Sequence, residues 1–493
     1  MSDAKSATVR RWAGITAVLL LATSASAGLP PEGRCPDWSG GANAGRGEDV
    51  GPPLIREGSL LSLEDLLSLR SLLPEEIWNF REVFFYEGMR MEIGYCHRRY
   101  PVPDFYREAT EKFADRVRVD AEGDLGGYLA GIPFPPDGID PQASGAGARW
   151  AWNLQYRYMG AGPVGKFRIF DLPSRIGSPE TYLGDFFYIR TGHRADLAAS
   201  SYRISEVEKS TWIAGGRFDE PFNARHLAWR QIRPEKADRK YKEADDTFVY
   251  VPTMRKPRRA ATTWVDGIFT PRYTVSGDAG GGGVPFATGS STEGGSGTDF
   301  TSIHPTAGLS IQATEDIRRG FTGLAIRPNA YDWRLVAERE VLAPLNATED
   351  GYPIDPDRNF GPSGLSVASD RWDLRYAVVI EGIARRSVDG VAAVVLWIDY
   401  QTLQPLYMIT KRENGLLLDL GILVHRFSSD RGGYPEWPGG EPAHVFDPVA
   451  AVFYYVPGGG AGWRRESYDI RSVPVDPKRL RKMISTGELS KGH

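Results

Sequence analysis

The chain has 493 residues, 41% of them hydrophobic, and a formal net charge of −4 at pH 7. A chain of this length can bury a sizeable core, and its slightly acidic balance gives no reason to expect a nucleic-acid partner. The 56 glycines and 35 prolines favour many turns over long helices. The length usually means two or three domains, but a single large β-rich unit with helical additions is also consistent with it.

Residues 1–27 have the order of a signal peptide. Lys5, Arg10 and Arg11 precede a short apolar run, and Ala25–Ala27 offers a small-x-small cleavage site. The apolar run is shorter than the roughly 20 residues that a membrane-spanning helix needs. We therefore expect export and a mature chain that starts at Gly28, with a short membrane anchor as the alternative.

The two cysteines, Cys35 and Cys96, both lie near the mature N-terminus. In an oxidising compartment an isolated pair is most simply a disulfide, and two free buried thiols are the alternative. Residues 28–58 are rich in Gly and Pro and are expected to form an extended arm. The disulfide would tie this arm to the segment after the second predicted helix.

Two helices are predicted after the arm. Ser62 can cap the first, with Asp65 three residues later as its capping-box partner. Pro74 begins the second, and Glu75 and Glu76 occupy its first turn, where the helix dipole favours acids. The leucines and aromatic residues of this segment are interpreted as core packing.

From about residue 150 the hydrophobic pattern changes to period two, which predicts short strands. A Gly-rich stretch at 277–298 is expected to be a flexible loop. The predicted strands before this loop are Asn153–Arg157, Asp185–Arg190, Thr211–Ala214, Leu227–Ile232 and Thr247–Val251.

The strongest local signal is a four-stranded antiparallel meander between Leu374 and Phe427. Asp389-Gly390 and Asn414-Gly415 are hairpin turn signals within it. The alternation places Val378 and Ile380 on one face of their strand, and it places Leu418, Leu420 and Ile422 on one face of theirs. An apolar sheet face must be covered by helices, by another sheet or by a ligand.

Motifs for cofactors, metals and catalysis are weak. Gly160–Gly165 fits a dinucleotide-binding string, but Pro163 interrupts it and the next residues predict a strand where a helix is needed. Asp355–Asn359 resembles the start of a calcium loop but lacks the glycine and the glutamate of that motif, so a turn is the better interpretation. We expect no cofactor, no metal and no catalytic residue. The basic stretch Arg255–Arg259 could meet anionic lipid head groups, but a solvated hairpin end is preferred.

Several short segments, taken in order, resemble the exported bacterial family known as domain of unknown function 1329. Members of that family are often labelled outer-membrane lipoprotein-sorting proteins. The matching segments are Ala130–Pro135, Trp152-Asn153, Tyr156–Tyr158, Phe248–Pro252, Tyr331–Val336 and Arg375–Glu381.

The resemblance implies a fold like that of the periplasmic lipoprotein carriers LolA and LolB. That fold is a half-open antiparallel β-barrel with helices over an apolar concave face. Leu396–Leu406 looks like a strand-turn-strand unit of those carriers. This chain is more than twice as long as such a carrier, so lipoprotein carriage itself does not follow, and the family supplies no catalytic residues to carry over.

We therefore expect a mainly β fold with accessory helices, in which residues 59–470 form a carrier-like domain and residues 471–493 a tail. The expected function is non-catalytic binding or carriage of a lipid or other apolar ligand in the periplasm, with outer-membrane association left open. Membrane contact would be peripheral, and an envelope membrane protein is a further candidate partner. The predicted ligand-binding residues are Val378, Ile380, Leu418, Leu420 and Ile422.

Two other functions remain open. An enzyme acting on envelope lipids or glycans would need a cleft with a nucleophile or paired acids whose pKa values are shifted. An envelope scaffold without a small ligand would have filled sheet faces and no cavity.

Overall fold

A computed structural model describes most of the chain. Statements of structure below concern residues 29–36, 55–172, 180–207, 209–252, 255–259, 267–268, 270–275, 309–314, 323–348, 360–388, 390–456, 462–472, 475 and 477–490. Three predicted features lie outside these ranges: the signal peptide at 1–27, the Gly-rich loop at 277–298, and the Asp355–Asn359 turn.

Helices cluster before the sheet and at its C-terminal end. A 3₁₀ helix, Glu64–Leu72, comes first. The α-helices are α1 Glu75–Asn79, α2 Arg81–Phe84, α3 Asp104–Phe113, α4 Ala146–Tyr156 and α5 Pro477–Ile484. The predicted capping box forms only in part: Ser62 N donates to Asp65 Oδ2 at 2.8 Å, but the N-cap residue of the 3₁₀ helix is Leu63 and it makes no side-chain capping hydrogen bond.

The strands before residue 315 are β1 Leu60–Leu61, β2 Met91–Cys96, β3 Arg118–Val119, β4 Leu125–Gly126, β5 Val164–Leu172, β6 Glu180–Arg190, β7 Ser210–Glu220, β8 Ala228–Pro234, β9 Asp246–Val251, β10 Lys256–Arg259, β11 Thr270–Val275 and β12 Leu309–Thr314. Those after it are β13 Tyr331–Ala343, β14 Arg371–Val388, β15 Val391–Asp399, β16 Pro405–Lys411, β17 Leu417–Phe427, β18 Phe446–Tyr455 and β19 Trp463–Arg471.

Fifteen strands form one sheet in the order β1-β2-β14-β15-β16-β17-β18-β19-β5-β6-β7-β8-β9-β10, and β13 also pairs with β14. All of these pairs are antiparallel except β2 with β14. The sheet does not close, because β1 and β10 are its two end strands. The prediction of a mainly β fold on an unclosed antiparallel sheet, as in a half-open barrel, is confirmed.

The central meander forms as predicted. β14 and β15 pair at Val388 and Val391, on either side of the predicted turn, whose Asp389 lies outside the described residues, and β16 and β17 flank Asn414-Gly415. β15 is apolar from Val391 to Ile398 and is buried on both sides, so side chains on its two faces pack against different layers.

One face of the meander is covered by α4. Trp150, Ala151 and Leu154 lie on one side of this helix and are each 0–1% exposed. They pack against the apolar face formed by Val378, Ile380, Val394, Leu396 and Ile398. This is the α4 face.

The opposite face is covered by the N-terminal helical segment. Ile77, Leu66 and Leu69 belong to the same buried cluster as the sheet residues of this N-terminal face. Those sheet residues are Ala377, Val379, Val395, Trp397, Tyr407, Ile409, Leu420, Ile422 and Val424. The predicted Cys35–Cys96 disulfide is present and ties the arm to the end of β2, with a Cα–Cα distance of 5.2 Å.

The predicted strand at Asn153–Arg157 is wrong. Residues 153–156 are the last turn of α4, because the apolar side chains of Trp150, Ala151 and Leu154 follow a helical period over the longer window. Asn153 is fully buried, and its amide both accepts from Phe134 N at 2.9 Å and donates to Phe134 O at 2.6 Å. The C-terminal tail is also more ordered than its composition suggests, since it contains α5.

Leu420→Gln should destabilise the fold by several kcal/mol. Leu420 is fully buried, so the change loses packing and leaves an amide without a partner in an apolar layer. Leu416→Gln is the matched control, because Leu416 is 63% exposed and directly precedes the same strand. Urea unfolding of both variants tests this. If Leu420→Gln unfolds at the wild-type urea concentration, the N-terminal face is not a packed core.

Candidate functional site

A cavity lies between the sheet and the C-terminal helix. It has a volume of about 240 Å³ and opens to the surface beneath α5, so we call it the α5 cavity. Its walls come from β5 to β8 on one side and from α5 with the following 3₁₀ turn, Thr486–Ser490, on the other. The lining residues are Val164, Gly165, Asp185, Phe186, Phe187, Gly216, Arg217, Ala228, Arg230, Arg479, Met483 and Leu489.

The helix α5 is amphipathic, and this explains where it lies. Leu480, Met483 and Ile484 form an apolar stripe that packs against the buried cluster of Phe187, Ile189, Ile204 and Ile213. Lys478, Arg479, Arg481 and Lys482 are exposed around the rest of the helix. The helix therefore covers the cavity with apolar side chains and with Arg479, which also lines the cavity, while its other basic residues are exposed.

Arg230 is the most buried charge of the cavity. It is 9% exposed, and its guanidinium carbon lies 4.6 Å from the ring centre of Phe187. The side chain lies across Gly215, where a Cβ would come within 2.8 Å of Arg230 Nη1. The absence of a side chain at Gly215 thus allows a guanidinium to lie flat on the sheet.

The electrostatics of the cavity favour an anion. Burial, together with the neighbouring Arg217, lowers the pKa of Arg230 to about 9, so the side chain stays a cation at neutral pH. The one hydrogen bond recorded for its guanidinium goes to the carbonyl of Trp229, and Nε has no partner among the described residues. Three arginines and one carboxylate, that of the exposed Asp185, line the cavity.

A second, much smaller cavity lies between α3, the end of α4 and the end of β6. Its volume is about 20 Å³, which is room for about one water. We call it the tyrosine cavity. Its lining residues are Phe105, Tyr106, Tyr156, Arg157, Tyr158, Met159, Gly160, Arg190, His193, Arg194, Ala195 and Asp196.

Several groups with shifted pKa values surround the tyrosine cavity. Burial lowers the pKa of His193 to about 4, and its Nδ1 lies 3.0 Å from the carbonyl of Leu129. Burial also raises the pKa of Asp238 to about 6, and this carboxylate accepts a hydrogen bond from Tyr156. His193 Nε2 and Asp238 Oδ2 are 4.0 Å apart, so the two groups are neighbours without a direct hydrogen bond.

One cluster of potential metal ligands occurs among the described residues. It consists of Cys35, Glu57 and Cys96. The two sulfurs are joined in the disulfide, and a disulfide sulfur is not the thiolate that metals bind. Glu57 instead accepts a hydrogen bond from Cys96 N at 2.9 Å.

The five predicted ligand-binding residues lie elsewhere and do not share one surface. Val378 and Ile380 are on the α4 face, whereas Leu420 and Ile422 are on the N-terminal face, and all four are fully buried. Leu418, at the start of β17, is half-buried. Their role in ligand binding stays a prediction.

Sequence analysis did not find Arg230 or α5. A signal was present in the paired Gly215 and Gly216 of β7, since glycine inside a strand marks a close approach of another group. Which group approaches depends on β8 pairing with β7 so that Arg230 lies opposite Gly215, and that register is visible only in the structure.

A family model matches part of the chain. Residues 71–276 match the family model DUF1329, described as a protein of unknown function. The resemblance to this family that the sequence segments indicated is confirmed. No curated protein matches the chain.

The similarity of this chain to solved structures is low. A DUF1329 family protein from Desulfovibrio piger is 12% identical with a TM-score of 0.37, and the alignment covers 71% of this chain and 99% of that one. A LolA superfamily protein from Nitrosomonas europaea is 13% identical with a TM-score of 0.29, covering 66% of this chain and 92% of that one. A domain from Vibrio parahaemolyticus named for outer membrane lipoprotein sorting is 11% identical with a TM-score of 0.33, and the alignment covers 68% of this chain and 92% of that one. TM-scores this low do not establish a shared mechanism.

Within the described ranges, no helix combines the length and the hydropathy needed to cross a bilayer.

His193 should make the protein sensitive to acid. Its folded pKa of about 4 lies below the usual 6.5, so the unfolded chain takes up the proton first and stability falls as pH drops from 6.5 towards 4. This difference in pKa corresponds to a loss of about 2.5 kcal/mol between pH 7 and pH 4.5. His193→Gln, which can still donate to the Leu129 carbonyl, should lose less stability between pH 7 and pH 4.5 than the wild type.

Urea unfolding at the two pH values measures this difference. His226→Gln is the control, because His226 is exposed. The raised pKa of Asp238 acts with the opposite sign but is common to all three proteins. An equal loss of stability in His193→Gln and in the wild type would contradict the buried, neutral state of His193.

Proposed function

We propose that this protein is a non-catalytic binding protein of the bacterial envelope whose ligand is lipid-like, with an apolar chain and an anionic head group. The observation that carries the proposal is the α5 cavity, which combines apolar walls with three arginines. Ligand pockets combine apolar walls with a few placed polar groups, and the lining of the α5 cavity is divided about equally between polar and apolar surface, which suits a ligand with both parts.

Each half of the ligand has a matching part of the cavity. Phe187, Met483 and Leu489 offer apolar surface, and each buried CH₂ would contribute about 0.8 kcal/mol. Arg230 and Arg217 would bind a phosphate or carboxylate, and an anion would offset the cost of a buried cation that has no acidic partner among the described residues.

The size of the cavity limits how much ligand it holds. Its volume of about 240 Å³ lies just below the roughly 300–1,000 Å³ of most small-molecule sites. A head group and the first part of a chain would fit. The outer wall is a single short helix whose apolar contact is made by Leu480, Met483 and Ile484, so an outward shift of α5 would lengthen the cavity along the sheet.

A binding role is favoured over an enzymatic one by the position of the shifted titratable groups. His193, Tyr156 and Asp238 surround the tyrosine cavity, whose volume of about 20 Å³ is too small for an organic substrate. The signal-peptide pattern of residues 1–27 supports action in the periplasm. A membrane protein of the envelope, or the outer membrane surface itself, would then be the partner that supplies or receives the ligand.

Arg230→Gln should weaken binding of dodecyl phosphate about tenfold, because it removes a charge-assisted hydrogen bond to the head group. Binding of dodecanol, which has the same chain and no charge, should be unchanged. Isothermal titration of both probes measures this. Arg168→Gln is the matched control, since Arg168 is exposed on neighbouring β5 and does not line the cavity.

Either of two results would contradict the proposal. In one, the wild type binds dodecyl phosphate no better than dodecanol. In the other, Arg230→Gln is folded, as judged by its melting temperature, and still binds dodecyl phosphate with wild-type affinity.

A further inference from the structure

Three buried arginines line the tyrosine cavity and are not used by the proposed ligand site, and one of them, Arg194, is paired with Asp196. Arg157 is 2% exposed and Arg190 is 5% exposed, and both line the cavity. Arg157 comes from the end of α4 and Arg190 from the end of β6, so the fold brings them together from separate parts of the chain.

The partners of Arg157 are all neutral. Its Nε donates to Gln404 Oε1 at 3.0 Å, and its Nη1 donates to the carbonyl of Leu154 at 2.7 Å. Its Nη2 donates to the carbonyl of Gly323. The charge is therefore solvated by amide oxygens and is not neutralised by any of these contacts.

Arg190 is less well satisfied. Its Nη2 donates to the carbonyl of Gln155, and its guanidinium carbon lies 5.4 Å from the ring centre of Tyr156. Its Nε is buried and has no hydrogen-bond partner among the described residues. The hydroxyl of Tyr188, which both arginines influence electrostatically, is also buried without a partner there.

The nearest acids are engaged by other groups. Asp196 lines the cavity but is held by Arg194 through contacts of 2.7 and 2.6 Å. Asp238 accepts from Tyr156, and the cations that stabilise its charge are Arg233 and Arg327. Within the described part of the chain, neither Asp196 nor Asp238 forms an ion pair with Arg157 or Arg190.

Two like charges in one small cavity are unfavourable without a counter-ion. Burial and the charge of Arg190 lower the pKa of Arg157 to about 9. Removing even one charge from water without a partner costs several kcal/mol, and a second like charge adds repulsion. An anion between the two guanidiniums would offset the cost of burying the charges and would reduce the repulsion between them.

We propose that the tyrosine cavity binds one small monovalent anion of the halide class between Arg157 and Arg190. The cavity volume of about 20 Å³ limits the size of the anion, because it holds roughly one water-sized particle and excludes a phosphate ester. Arg190 Nε is the donor that the anion would satisfy, because it belongs to a cavity-lining residue and has no hydrogen-bond partner among the described residues. This site is separate from the α5 cavity and does not depend on the lipid-like ligand.

Chloride is the probe that tests this. The ³⁵Cl resonance of a chloride solution should broaden when wild-type protein is added, and bromide should reverse the broadening by competition. Arg190→Met, which keeps the bulk of the side chain without its charge, should weaken binding about 10- to 100-fold and abolish the broadening. Arg239→Met is the matched control and should broaden the signal as the wild type does, because Arg239 is exposed.

A second measurement covers the case in which Arg190→Met does not fold. Crystals of the wild type soaked in sodium bromide should give an anomalous peak between Arg157 and Arg190. The proposal is overturned if folded wild-type protein gives no bromide-sensitive broadening. It is equally overturned if Arg190→Met broadens the signal as the wild type does, or if the bromide peak is absent from the tyrosine cavity.

Discussion

The central strands of this protein are apolar on both sides, and most of the architecture follows from that constraint. β15 and its neighbours cannot leave either face in water, so the sheet needs two covers. α4 provides one, and the N-terminal helical segment provides the other. The disulfide between Cys35 and Cys96 fixes the arm that precedes this second cover.

The other half of the sheet is covered differently. Around β5 to β8, one face carries the sheet's own buried aromatic residues, such as Trp212, Phe218 and Trp229, whereas the other packs against the short helix α5. A short amphipathic helix cannot fill the width of several strands, so a cavity remains beside it. Arginines from β7, β8 and α5 line this cavity, which makes it the part of the sheet best suited to hold a molecule with both apolar and charged parts.

Features that depend on local chemistry could be predicted from the sequence. The Asn414-Gly415 turn and the Cys35–Cys96 pair each follow from a few residues and a known preference, and the structure contains both. Features that depend on tertiary pairing could not. The alternation of apolar and polar residues predicts that Val378 and Ile380 share one face of their strand. Only the strand pairing through β15 and β16 shows that Leu420 and Ile422 lie on the opposite face of the sheet. Arg230 beside Gly215, and Arg157 beside Arg190, are likewise products of register and packing.

The most direct test of the account is to locate the bound ligand. A diazirine-bearing alkyl phosphate should be photolysed on the wild-type protein and the adducts mapped by peptide mass spectrometry. We expect adducts on Phe187 or on the segment from Met483 to Leu489, because these line the apolar part of the α5 cavity. Adducts confined to β14 and β17, around Ile380 and Leu420, would contradict the account, since the ligand would then displace a cover of the central meander and leave the α5 cavity empty.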